Sequence, residues 1–119
     1  MPMNTMELAQ HAAAAAMDKK AQRIVVLDLR GQSDFCDLQL VCSGDNERQT
    51  RAIADAIEER CHKIANTKPS GSEGKQTGNW ILLDYGGLVV HVFHSDFRDY
   101  YALESLWPKA RPFQLEVNS

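Results

Sequence analysis

The chain has 119 residues and a formal net charge of −3 at neutral pH, a length that fits one domain with its own core. The acidic balance argues against a protein that mainly grips nucleic-acid phosphates, because that task needs clustered lysine and arginine, and it suits a neutral or basic partner. No apolar run approaches the roughly 20 residues that a transmembrane helix needs. The 3 cysteines lack paired spacing, so we expect neither a zinc site nor a redox pair, and a reduced, cytoplasmic setting.

The first third of the chain predicts one helix followed by two strands. We expect Thr5 to cap a helix that runs through the alanine-rich stretch 12–16 to about Lys20. The apolar run 24–29 is typical of a strand covered on both faces, and 37–43 predicts a second strand. Alternation along this second strand separates two sets of side chains, Leu38, Leu40 and Cys42 on one face and Gln39 and Val41 on the other.

A long helix follows the second strand. Asp45 is its expected cap, and apolar or small side chains at helical spacing form its expected buried stripe: Thr50, Ile53, Ile57, Cys61 and Ile64. The segment 66–79 is rich in glycine and predicts a loop. Within it, 67–73 has room for a short edge strand, because Pro69 suits a sheet edge.

The end of the chain predicts a last helix over 97–107, and 113–117 offers a short final strand. The expected helix has a broad apolar arc formed by Phe97, Tyr100, Tyr101, Leu103, Leu106 and Trp107. Glu104 lies inside this arc, where a carboxylate is costly unless it is paired. Arg98 or His91 is the expected partner.

The order of elements is helix, strand, strand, helix, short strand, strand, strand, helix. An α/β domain with a mixed sheet flanked by helices is the simplest arrangement of these elements. Neither a linker nor an internal repeat divides the chain, so we expect a single domain over 1–119, with loose ends outside a core of about 6–111.

The stretch 80–94 predicts a β-hairpin whose turn is Gly86-Gly87, two residues that tolerate the positive φ of a two-residue loop. That turn sets Tyr85 opposite Leu88 and Trp80 opposite Phe93. One face of the hairpin is then almost wholly apolar and predicts core: Ile81, Leu83, Tyr85, Leu88, Val90 and Val92. The other face, which we call the mixed face, sets an acid and an imidazole among large apolar groups: Trp80, Leu82, Asp84, Val89, His91 and Phe93.

The mixed face has two interpretations. In the first, a helix covers it and Asp84 and His91 find local hydrogen-bond partners, as buried polar groups usually do; the hairpin pattern alone favours this one. In the second, it is a contact surface. Tyrosine and tryptophan are common interface residues, and this part of the chain gathers Trp80, Phe93, Tyr100, Tyr101 and Trp107. It also gathers acidic groups that suit a basic partner, namely Asp84, Asp96, Asp99 and Glu104.

Patterns of catalysis are incomplete in this sequence. No elbow motif surrounds a serine or cysteine, and His91 and His94, three apart on a strand, face opposite sides and do not predict a metal site. Ser43-Gly44 before a helix is an anion-binding pattern. However, no glycine-rich fingerprint accompanies it, and no close pair of carboxylates for a metal follows. We therefore predict no catalytic residue, cofactor or metal, and keep a nucleotidyltransferase-like enzyme and a direct RNA-binding module as alternatives.

The second half of the chain resembles the Iojap family, also called the ribosomal silencing factor (RsfS) family. The matching segments are Glu73-Gly74-Lys75, 80–86, 90–93 and 98–107. Shorter matches lie earlier, at Lys19-Lys20-Ala21, Asp28, Ser33, Asp37 and 52–55. The likeness covers roughly residues 6–111. The position after Gly86 is often acidic in the family and is Gly87 here, which removes an acidic group or loosens the turn.

The resemblance implies a nucleotidyltransferase-like fold without catalytic residues and a role that is not enzymatic. Members of the family bind the large ribosomal subunit through large-subunit ribosomal protein fourteen, block joining of the small subunit and damp translation when nutrients are scarce. Some form homodimers; neither a membrane nor direct nucleic-acid binding is implied as the main activity. With the mixed face, the resemblance predicts these partner-binding residues: Trp80, Asp84, Tyr85, His91, Arg98, Tyr100, Tyr101, Glu104 and Trp107. Asp84 and Glu104 are expected to meet cations, and His91 to orient one of them.

Overall fold

The structure, a computed structural model, describes residues 4–31, 36–96 and 111–112. Its helices are α1 (Thr5–Asp18) and α2 (Glu47–Ala65). Its strands are β1 (Gln22–Asp28), β2 (Leu38–Gly44), β3 (Gly71–Glu73), β4 (Trp80–Asp84), β5 (Leu88–His94) and β6 (Arg111–Pro112). The helix predicted over 97–107 and the strand predicted over 113–117 lie outside the described residues.

The described strands form one mixed sheet in the order β3-β4-β5-β2-β1-β6. β2 and β5 are parallel, whereas β3 and β4, β4 and β5, β1 and β2, and β1 and β6 pair in antiparallel fashion. The predicted α/β architecture is therefore confirmed. The expected edge strand within 67–73 is also confirmed, because β3 lies at one edge of the sheet.

Both helices pack on the same face of the sheet and form the main core with it. The alanines of α1 contribute little bulk, so its backbone approaches the sheet and α2 closely. The fully buried ones are Ala9, Ala12, Ala13 and Ala16. The predicted alternation along β2 is confirmed, since Leu38, Leu40 and Cys42 join this core. Val41 joins a smaller cluster on the opposite face, with Leu27, Leu29, Cys36 and Phe93.

Both helix caps lie one residue from their predicted positions. Asn4, not Thr5, caps α1 by accepting the N–H of Glu7 at 2.8 Å, and the helix ends at Asp18 rather than about Lys20. Asn46, not Asp45, caps α2 by accepting the N–H of Gln49 at 2.8 Å. In both places two residues that suit a cap are adjacent, and the pattern of apolar residues does not choose between them.

The predicted stripe of α2 is buried except at its last member. Ile64 is 43% exposed because it lines an open groove between the ends of the two helices, with Ala15 and Lys19 on the α1 side. The helical spacing was correct. What the sequence could not show is that a groove opens beside this position, because that depends on how the two helices pack against each other.

Candidate functional site

The hairpin has the register that its turn predicted. Trp80 is paired with Phe93, Leu82 with His91 and Asp84 with Val89. Faces alternate as expected: the apolar face is buried under the helices, with Tyr85 half-buried at its end. The mixed face is on the side of the sheet that carries the smaller cluster, where Trp80 and Val89 are partly buried.

The turn needs positive φ at only one of its two glycines. Gly86 has φ of +85°, and Gly87 lies outside the left-handed region. Gly87 packs closely, since a Cβ there would lie 2.8 Å from Oγ1 of Thr5 and would force that side chain to shift. The carbonyl oxygen of Gly87 also accepts the N–H groups of Asp37 and Leu38. The turn therefore packs against Thr5 of α1 and the start of β2.

Three rings gather at the centre of the mixed face. The indole of Trp80 stacks on Phe93 with ring centroids 5.1 Å apart and planes at 26°, and the imidazole of His91 is 6.2 Å from Phe93 at 12°. The indole Nε1–H of Trp80 donates a hydrogen bond to Nδ1 of His91 at 3.0 Å. His91 is only 4% exposed, so its ring orientation is set by packing as well as by this bond.

The hydrogen bond decides the protonation of His91. An indole nitrogen only donates, so Nδ1 is unprotonated and the neutral ring carries its proton on Nε2. Burial agrees with this, because it lowers the pKa of His91 to about 4 by disfavouring the charged form. Within residues 4–31 and 36–96, Nε2 is buried without a hydrogen-bond partner.

Asp84 serves the turn rather than His91. Its Oδ1 accepts the N–H of Gly86 at 2.8 Å, and its carbonyl oxygen accepts from the N–H and hydroxyl of Ser70. Asp84 is paired with Val89, and His91 is paired with Leu82. The two polar side chains are therefore diagonal neighbours on the same face rather than directly opposite each other. The predicted orientation of Asp84 by His91 is therefore wrong, and His91 holds Trp80 instead. Glu104, the other expected partner of His91, lies outside the described residues.

Tyr85 belongs to the opposite face of the hairpin. Its phenol is packed under α2, where burial, followed by the neighbouring Cys61 and Glu58, raises the pKa of Tyr85. Burial raises the pKa of the Cys61 thiol as well. The structure thus brings together Trp80, Asp84 and His91 of the predicted set and separates Tyr85 from them. The remaining predicted residues lie outside the described part: Arg98, Tyr100, Tyr101, Glu104 and Trp107.

The sequence missed Gln39 as a member of this surface. It follows the alternation of β2 onto the mixed side, where it is paired with Val89, and it is 7% exposed. Its amide Nε2 is 3.9 Å from Sγ of Cys36, and its Oε1 has no partner in the part of the chain that the structure describes. The signal was a lone polar residue between apolar neighbours on a central strand.

The anion-binding pattern at Ser43-Gly44 is filled by the chain's own side chains. A Cβ at Gly44 would lie 3.1 Å from Cγ2 of Thr50 and 3.3 Å from Cγ of Gln49, so these side chains pack closely against the glycine. The hydroxyl of Thr50 donates to the carbonyl oxygen of Gly78 at 2.7 Å. Gln49 also bridges backwards, donating from Nε2 to the carbonyl oxygen of Lys19 at 3.0 Å. These contacts fix the first turn of α2 against neighbouring segments.

Two further observations concern the described residues alone. Among them, no group of at least 3 histidine, cysteine, aspartate or glutamate side chains is arranged to hold a metal ion. None of the helices in that part of the chain is both long and apolar enough to span a membrane.

The comparison with known families decides the identity of the domain. A family described as "Ribosomal silencing factor during starvation" matches residues 2–119. The chain belongs to the RsfS family. A "Ribosomal silencing factor RsfS" from Halalkalibacterium halodurans is 41% identical over 117 residues, which cover 96% of this chain and 97% of that protein. The resemblance drawn from the sequence is thus confirmed, and the RsfS name describes a regulatory factor of the ribosome rather than an enzyme.

Structures and distant relatives agree with the RsfS assignment. A crystal structure of a Chromobacterium violaceum protein is 34% identical to this chain, with a TM-score of 0.85 over 98% of this chain and 95% of that one. A mouse protein named "Mitochondrial assembly of ribosomal large subunit protein 1" is 26% identical over 91 residues, which are 75% of this chain and 40% of that protein.

Proposed function

We propose that this RsfS-family chain binds the large ribosomal subunit through large-subunit ribosomal protein fourteen and sterically blocks joining of the small subunit. Translation is thereby damped when nutrients are scarce. The observation that carries the proposal is the mixed face, which sets the partly exposed Trp80 and an acidic group, Asp84, on the side of the sheet away from both helices. No cofactor or turnover is needed, because the bound domain itself occupies the contact surface.

The chemistry of this face supports a basic protein partner. Trp80 offers a broad, rigid apolar surface with little rotamer entropy to lose, as interface tryptophans commonly do. Asp84 is partly exposed and spends Oδ1 on the turn, which leaves Oδ2 for a lysine or arginine of the partner. The net charge of −3 favours approach to a basic surface. The mouse relative supports the choice of subunit, because its name contains "ribosomal large subunit".

Co-sedimentation with purified large subunits tests the docking face. We expect the wild-type chain to pellet with the subunits and the Asp84→Lys variant to bind at least about tenfold more weakly, because a charge at a basic contact is reversed. Asp84→Asn separates charge from structure, since its Oδ1 can still accept the N–H of Gly86; it should weaken binding by a smaller factor. Glu59→Lys is the matched control, because it makes the same reversal of charge at an exposed position on α2.

Each outcome of this experiment has a clear meaning. A wild-type chain that stays in the supernatant refutes the proposed function. Equal binding by wild type and a folded Asp84→Lys variant refutes the face. Steeply salt-dependent binding to naked ribosomal RNA, as tight as binding to the subunit, would favour the RNA-binding alternative. Saturable turnover of a nucleotide with magnesium would favour the nucleotidyltransferase-like one.

Subunit joining is the second measurement. Light scattering should show slower and less complete association of large and small subunits when the chain is present, and Asp84→Lys should restore association. The homodimer and the cytoplasmic location remain predictions. Sedimentation of the purified chain measures the first, and fractionation of cells measures the second.

A further inference from the structure

We propose that His91 is a positioning residue for docking, which holds the Trp80 indole in one orientation on the mixed face by accepting its N–H. This inference rests on the proposed docking role of that face. It assigns to His91 neither partner contact nor charge, which is a different role from the one that the sequence predicted.

The position of the acceptor is fixed by the sheet. His91 lies within β5, paired with Leu82 of β4 on one side and with Val41 of β2 on the other. Its ring is nearly parallel to that of Phe93, and the residue is 4% exposed. Backbone pairing on both sides and burial leave the ring little freedom, so Nδ1 is a rigid acceptor.

Trp80 is the residue that gains from a rigid acceptor. It is the first residue of β4 and is only partly buried. Stacking on Phe93 fixes the plane of the indole, but a stacked ring can still turn within that plane. The bond from Nε1 to His91 removes this freedom. A side chain ordered before association does not lose that freedom on binding, so the bond should tighten docking although His91 touches no partner.

A direct contact role for His91 fits the structure less well. The residue is almost wholly buried, and Nδ1 is occupied by the indole. Asp84 is also a diagonal neighbour of His91, but its Oδ1 accepts the N–H of Gly86 instead. The remaining alternative is that His91 contributes only to stability, and the experiment must separate that role from positioning.

Two substitutions of His91 provide this separation. Oδ1 of asparagine and Nδ1 of histidine are separated from the backbone by the same number of bonds. His91→Asn therefore keeps an acceptor and loses the ring. His91→Phe keeps a ring beside Phe93 and loses the acceptor. Both variants change packing, but only His91→Phe removes the acceptor for Trp80.

The first readout is the indole ¹H–¹⁵N resonance of Trp80, identified as the one that disappears in Trp80→Phe. In His91→Phe we expect the Trp80 indole resonance to shift and its N–H proton to exchange faster with solvent. In His91→Asn we expect the resonance to stay near its wild-type position. The second readout is the Kd for purified large subunits. His91→Phe should weaken binding by about three- to tenfold, the range for one net hydrogen bond, and His91→Asn should recover most of this loss. In a Trp80→Phe background, His91→Phe should have no further effect.

The outcomes distinguish this inference from the proposed function. An unchanged Trp80 resonance in His91→Phe refutes positioning, whatever the subunits do. Equal loss of affinity in both variants, or loss that persists in the Trp80→Phe background, also refutes it, because the effect would then come from packing. Failure of the wild-type chain to bind subunits refutes the docking role, while the resonance still reports whether His91 holds Trp80.

Discussion

Burial of neutral His91 should make the stability of this domain fall as the solution becomes acidic. The pKa of His91 is lowered from 6.5 to about 4 in the folded chain, so between these values the unfolded chain binds a proton that the folded one does not. The contribution of His91 to the free energy of unfolding is fully present above pH 6.5 and is lost as the pH falls towards 4. At 1.36 kcal/mol per unit, the loss is about 3 kcal/mol in total and about 2 kcal/mol by pH 5.

Urea unfolding of wild type and His91→Phe at pH 7.5 and pH 5.0, followed by far-UV circular dichroism, measures this effect. His91→Phe should be less stable at pH 7.5, because the Trp80 N–H loses its acceptor. The free energy of unfolding should fall between the two pH values by about 2 kcal/mol more in wild type than in the variant. Contributions from other titrating groups are common to both proteins and cancel in the difference. Parallel pH profiles would refute the lowered pKa of His91.

Two further substitutions test the local geometry through the free energy of unfolding. Gly74→Ala should destabilise the domain by about 2–4 kcal/mol, because φ there is +87° and a Cβ would overlap the carbonyl oxygen of Trp80; a cost below about 1 kcal/mol would contradict the close approach. Asn46→Ala should cost about 1 kcal/mol through loss of the cap on Gln49. Asp45→Ala should cost less than half as much. A larger loss of stability in Asp45→Ala than in Asn46→Ala would instead identify Asp45 as the cap, as the sequence predicted.

The hairpin was predictable because its information is local. A two-glycine turn between alternating segments fixes the register, and the register fixes which side chains share a face. The same alternation put Tyr85 on the apolar face with Leu83 and Val90, and the structure agrees. Tyr85 was included among the partner-binding residues because of the family resemblance, which carries no information about faces.

The order of the sheet was not predictable in the same way. β5 pairs with β2, although α2, β3 and β4 come between them in the chain. Both strands are buried on two faces and have similar apolar composition, so many alternative neighbours satisfy the pattern equally well. Both α1 and α2 pack on one face of this sheet, and such packing depends on contacts distant in sequence.

The expected pairing of His91 with Asp84 was wrong for a chemical reason, whereas the pairing with Glu104 stays a prediction. An imidazole near acidic residues suggests an ion pair with a carboxylate, and Asp84 or Glu104 was the expected partner. A ring that is 4% exposed favours its neutral form, however, and a neutral ring with one unprotonated nitrogen needs a donor. Trp80 was the available donor, since it is the diagonal neighbour of His91 in the predicted register. The register therefore contained the contact, and the assumed charge state hid it.

The position of the hairpin in the sheet links the fold to the proposed docking. β5 has neighbours on both sides, β4 and β2, so His91 is held by three strands, whereas Trp80 begins β4 and is partly exposed. The contact residue thus lies where a partner can reach it, and its acceptor lies on a strand that is paired on both sides. On such a surface the contact side chain is already ordered before association, so it loses little conformational entropy on binding.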